Sequence, residues 1–174
     1  MMILRKLALL PSLILAASPA LAHLSLETKE APAGSTYKAV IRIGHGCEGA
    51  ATTTVRVQIP EGVVAVKPMP KPGWTLETSV APYSEPVQYR DRTLTEGVRE
   101  ITWSGGSLPD EWYDEFVFRA QLPDGQVGQV IYFPMIQECG SAVSRWIEVP
   151  ATGQNGEDVR KPAPALTLTA PAEQ

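Results

Sequence analysis

Proline sets the first limit on this chain. Sixteen prolines are spread from Pro11 to Pro171. Because proline interrupts a helix interior and biases the residue before it towards extended backbone, few windows remain for a long helix. No window carries a 3.6-residue apolar stripe, whereas period-two alternation is plain. Tyr37, Ala39, Ile41 and Ile43 alternate with Lys38, Val40 and Arg42, and Val55, Val57 and Ile59 alternate with Thr54, Arg56 and Gln58. Such alternation marks a strand with one face in a core. Further runs at residues 75–80, 98–103, 115–121, 129–135 and 142–149 are bounded by Gly, Pro, Asp or Ser. Strands at this spacing with turn chemistry between them predict an all-β, antiparallel two-sheet sandwich. Pro60-Glu61-Gly62 closes the second strand, and Pro123-Asp124-Gly125 predicts that runs 115–121 and 129–135 are neighbouring antiparallel strands. Beyond Pro150 the composition turns polar and proline-punctuated, so residues 151–174 read as a mostly flexible tail with residues 166–168 as the candidate docking point.

Composition narrows the function classes. With 44% hydrophobic and 20% charged residues in 174, the chain can bury the core of one ordinary domain. Fifteen basic against nineteen acidic residues, without a Lys/Arg stripe, argue against a nucleic-acid binder, whose affinity would come from neutralising phosphates. Two histidines, neither beside an obvious serine partner, supply no hydrolytic triad.

The first 22 residues have the form of an export leader. Arg5 and Lys6 precede an apolar run over residues 7–17, Ser18-Pro19 breaks it, and Ala20-Leu21-Ala22 places small residues where a signal peptidase reads. The apolar stretch falls short of the roughly 20 residues that a spanning helix needs, and no stop-transfer pattern follows. Cleavage is expected after Ala22, leaving a soluble, exported and more acidic chain.

His23 would then become the first residue. A terminal histidine carries a free α-amino nitrogen and an imidazole nitrogen, which together close a six-membered chelate ring on one metal ion. An internal residue has no free amino group to offer. Paired neutral nitrogens suit copper(II) best among the divalent first-row ions. The amino group, with a pKa of about 7.7–8.0, loses its proton readily to a competing metal near neutral pH. Cys47 and Cys139 are the two cysteines, and an even count in an exported chain makes a disulfide the default. The alternative is a blue-copper thiolate site built from one cysteine with His23 and His45, which would leave the other cysteine unpaired.

Several motifs in order carry a family likeness. They are His23 after the leader, Gly44-His45-Gly46-Cys47-Glu48-Gly49, the stretch from Thr52 to Val63, Lys71-Pro72-Gly73-Trp74, Cys139-Gly140, and Ser144-Arg145-Trp146-Ile147-Glu148-Val149-Pro150. Over residues 23–150 the chain resembles the YcnI-like family, also called the domain of unknown function 1775. That resemblance implies an immunoglobulin-like or cupredoxin-like sandwich that binds one copper(II) through a brace made from a single N-terminal histidine. It implies ligation by the amino and imidazole nitrogens of His23 and by the Glu48 carboxylate, with Trp146 beside the metal. A carboxylate is acceptable to copper(II) once nitrogens fill the strong positions. A bridge from Cys47 to Cys139 would tie the Glu48 loop to the strand leading to Trp146. His45 is either a third ligand or a loop histidine that orients one. Trp74, Trp103 and Trp112 are assigned to core or rim packing.

The expected function is copper homeostasis without catalysis: a periplasmic metallochaperone or scavenger that takes Cu2+ as cargo. Its partners would be another copper carrier or a membrane copper transporter, with no nucleic acid and no membrane anchor after leader removal. A copper-dependent oxidative enzyme and a metal-free interaction sandwich are the alternatives.

Overall fold

The computed structural model describes residues 24–151, 153–154 and 159–171. Its strands, in chain order, are β1 (Ser25–Leu26), β2 (Glu30–Pro32), β3 (Thr36–Ile43), β4 (Thr52–Gln58), β5 (Val64–Pro68), β6 (Thr75–Tyr89), β7 (Arg92–Leu108), β8 (Asp114–Gln121), β9 (Val130–Tyr132), β10 (Met135–Cys139), β11 (Ala142–Trp146) and β12 (Ala165–Thr169). No helix occurs among the described residues, as the proline distribution requires.

Two larger sheets form the sandwich. One has the order β1-β3-β8-β5 and the other β11-β10-β4-β7-β6, with every pairing antiparallel. A three-stranded sheet, β2-β12-β9, adjoins them and contains the parallel pair β2/β12. The alternating positions of β3 and β4 do turn inward: Tyr37, Ala39, Ile41, Ile43, Val55 and Val57 are buried in one cluster with Phe116, Phe118, Ile101, Trp103 and Met135. Burying each Val, Ile, Phe or Met side chain among them contributes about 1.5–3 kcal/mol by area. The one polar atom of Trp103 is satisfied within this core, since its Nε1–H donates to the Met69 carbonyl at 3.0 Å.

Three departures from the sequence expectation have physical causes. The run at 129–135 is not one strand, because Pro134 cannot donate to a ladder. The chain crosses there from β9, paired with β12, to β10, paired with β4 and β11. Consequently β8 and β9 are not neighbours: β8 lies between β3 and β5, and the connection after Pro123-Asp124-Gly125 carries the chain to the third sheet. Strands β6 and β7 extend well past the runs at 75–80 and 98–103, with irregularities between Ser79 and Val80 and between Pro82 and Val87. Their outer halves are mostly exposed on both faces, so no inward periodicity advertises them. Residues 165–169, within the segment read as a tail, form β12, where Leu166 and Leu168 are fully buried.

Candidate metal-binding loop

The segment joining β3 to β4 is shaped by three short-range constraints. Cys47 N–H donates to the Ala50 carbonyl at 3.1 Å and Ala50 N–H returns the bond to Cys47 at 2.9 Å. Between them Glu48 and Gly49 both hold positive φ, 54° and 82°, the signature of a type I′ turn. Such turns favour Asn-Gly or Gly-Gly, so glutamate at the first position accepts a left-handed backbone that costs roughly 1 kcal/mol. That turn holds the Glu48 side chain out in solvent. Only glycine fits at position 46, since an added Cβ would come within 1.9 Å of the Ala50 oxygen. From the loop after β7, an Asp110 carboxylate oxygen accepts the Gly46 N–H at 2.8 Å.

The loop is bound to the β10/β11 hairpin from beneath. Cys47 and Cys139 form a disulfide with a Cα separation of 5.6 Å, within the usual range for such bridges. Two residues before Cys139, the buried Gln137 joins three elements. Its Nε2 donates to the His45 carbonyl at 2.8 Å and to Thr52 Oγ1 at 2.7 Å, while its Oε1 accepts from Trp146 Nε1–H at 3.2 Å. Trp146 is 4% exposed, and its ring stands edge-on to the His45 imidazole with centroids 6.4 Å apart. His45 Nδ1–H donates to the Gly46 carbonyl at 2.6 Å.

His45, Cys47, Glu48, Cys139 and Trp146 are thus brought to one end of the sandwich by a single loop, a bridge and a hairpin. His23 lies outside the described residues. Its covalent neighbour Leu24 is buried, and β1 pairs with β3 with Ser25 opposite Arg42 and Leu26 opposite Ile41. Counting back along that register brings Leu24 level with Ile43, the residue before the 44–49 loop. Among the described residues no three His, Cys, Asp or Glu side chains converge as a metal cluster. The disulfide removes both cysteines from the thiolate alternative. Trp103 is fully buried, Trp74 packs edge-on against Phe116 at 5.0 Å, and Trp112 is exposed beside Tyr113 on the Asp110 loop.

Sequence reading did not single out Gln137, Thr52 or Asp110. Gln137 was detectable in principle: in β10 it shares the inward parity of Met135 and Cys139, and a polar residue at such a position must find hydrogen-bond partners. Asp110 gives no comparable signal, because its role depends on a contact 64 residues away.

A family model described as "Domain of unknown function (DUF1775)" matches residues 23–168, a span that reaches into β12 as far as Leu168. No curated protein matches the chain. Among solved structures, an uncharacterized protein from Nocardia farcinica, described as revealing an immunoglobulin-like fold, is 26% identical; the match covers 86% of this chain and 99% of that one, with a TM-score of 0.63.

Proposed function

Since this chain belongs to the family described as a domain of unknown function (DUF1775), we propose that it is an exported protein that captures one copper(II) ion at the loop of residues 44–49. The amino and imidazole nitrogens of His23 supply the chelate and Glu48 the anionic oxygen. The observation that carries the reading is the convergence just described. The register of β1 along β3 directs the start of the described chain to the same end of the sandwich as the exposed Glu48.

The fit is chemical as well as spatial. Two neutral nitrogens and one carboxylate form a donor set that copper(II) accepts and that leaves positions for water or an incoming ligand. His45 lies in the same loop, with its ring Nδ1 2.6 Å from the Gly46 carbonyl oxygen. Trp146 and the disulfide hold the loop in place from below, as supporting residues do around metal sites generally. Such an exposed site suits transfer by ligand exchange to a copper carrier or a membrane copper transporter. Export to the periplasm after cleavage following Ala22 is part of the same proposal, and a disulfide between positions 92 apart accords with an oxidising compartment.

Calorimetric titration of copper(II) into three proteins tests it: the chain beginning at His23, the same chain with one alanine added before His23, and the Glu48→Ala variant. Affinity should fall at least about tenfold in the extended chain, which loses the amino donor from the ring, and less in Glu48→Ala. Equal affinity in the extended chain overturns the proposal.

A further inference from the structure

Cross-strand neighbours on one face of an antiparallel sheet are normally matched in charge, because like charges directly opposite are destabilising. The outer face of the β1-β3-β8-β5 sheet obeys this at one end. There Arg42 faces Glu115 across β3/β8, and its guanidinium lies 3.9 Å from that carboxylate and 3.0 Å from Glu27. Nearer the middle the same face breaks the rule twice in one row. Lys38 on β3 is directly opposite Arg119 on β8, and Arg119 is directly opposite Lys67 on β5. All three are exposed.

The tip of the β6/β7 hairpin adds to this charge. Tyr89, Arg90, Asp91, Arg92 and Leu94 face Lys67, Arg119 and their neighbours across a cavity of about 390 Å³. Its rim therefore carries four cations, Lys67, Arg90, Arg92 and Arg119, against the single carboxylate of Asp91, in a chain whose net charge is −4. Arg42, Arg56, Lys71 and Arg99 each lie within 4 Å of a carboxylate. Among the described residues none of the four rim cations makes such a pair; Arg90 lies instead over the Tyr89 ring at 5.3 Å.

A concentrated positive charge held without counter-charges, around a cleft of ligand size, is complementary to an anion. We propose that this cleft binds a small polyanion carrying two or more phosphoryl or carboxylate groups. The planar guanidinium forks of Arg92 and Arg119 suit such groups, since they bond carboxylate and phosphate oxygens in pairs. The Lys67 ammonium, cross-strand from Arg119, adds a point charge, and Gln121 and Thr36, which also line the cleft, add uncharged polar groups. The site is separate from the 44–49 loop and does not depend on copper.

Pyrophosphate and citrate are the probes, titrated calorimetrically into the chain beginning at His23 at low and at physiological ionic strength. At least one should bind saturably with 1:1 stoichiometry, more weakly at the higher salt. The Lys67→Gln/Arg119→Gln variant should lose at least tenfold in affinity. Removing two like-charged neighbours relieves repulsion, so the variant's ligand-free melting temperature should be unchanged or higher, which separates loss of binding from loss of fold. Co-sedimentation with phosphatidylglycerol vesicles, against phosphatidylcholine vesicles as control, distinguishes a lipid headgroup from a free anion. No saturable binding of either probe, binding of equal affinity in the variant, or binding to anionic vesicles alone each overturns the assignment.

Discussion

Replacing Gln137 by leucine isolates the buried network beneath the 44–49 loop. Leucine keeps most of the volume and removes all three hydrogen bonds. Trp146 Nε1–H then loses its one acceptor among the described residues, and the His45 carbonyl and Thr52 Oγ1 each lose a donor. A buried polar group left without a partner costs about 1–3 kcal/mol. The indole N–H, on a residue 4% exposed, bears that cost in full. The His45 carbonyl belongs to a half-buried residue that water can reach in part, and the Thr52 hydroxyl can rotate to seek another partner. Together these give about 2–4 kcal/mol, or a fall in melting temperature of about 5–15 °C for a domain of this size. Urea unfolding of Gln137→Leu, Trp146→Phe and the double variant, all with the disulfide intact, provides the assay. Because Trp146→Phe removes the orphaned N–H, the leucine substitution should cost less in that background, with a coupling of about 1 kcal/mol or more. A Gln137→Leu variant within about 0.5 kcal/mol of the parent, or strictly additive substitutions, would refute the assignment of this network.

Other perturbations have equally definite outcomes. Reducing the disulfide should destabilise the fold by about 4 kcal/mol on the loop-entropy view, read as a lower urea midpoint with dithiothreitol, and should weaken copper capture by loosening the loop. Glu48→Gly should stabilise the metal-free protein by up to about 1 kcal/mol, because glycine adopts the left-handed φ of 54° without strain. The same change should weaken copper(II) binding, so opposite signs in thermal melting and metal titration are expected. Tyr37 is buried next to Glu27, which together push its hydroxyl up to about 12 from 10.0, and it donates to the Thr28 carbonyl at 2.6 Å. With the folded value above the unfolded one, the stabilisation is complete below pH 10 and is lost as pH rises towards 12. That loss, at most about 2 kcal/mol, should vanish in Tyr37→Phe when unfolding is followed across that range.

Much of the sandwich was legible in the sequence because its inner strands alternate. β3 and β4 each bury one face against facing apolar residues, and that burial is what period-two patterning encodes. The outer β6/β7 hairpin was not legible beyond residues 80 and 98 because exposure on both faces leaves no alternation to read. β5 has glycine-like backbone at Ala65, φ 50°, and an irregular register with β8 between Val64 and Lys67, which breaks the two-residue period. β12 shows burial at Leu166 and Leu168, but a strand of five residues set in a polar, proline-punctuated segment reads as a docking point rather than a sheet member. At the candidate site, Cys47 and Cys139 pair as an even cysteine count suggested. Trp146 serves both packing and support. Gln137 and Asp110 escaped because their roles come from tertiary contacts between segments far apart in sequence.

The electron paramagnetic resonance spectrum of the copper-loaded chain beginning at His23 tests the copper assignment most directly, since it reports nitrogen count and geometry together. A tetragonal spectrum is predicted whose nitrogen couplings include the α-amino group, and which changes when that group is acetylated. A spectrum unaltered by acetylation would contradict the account.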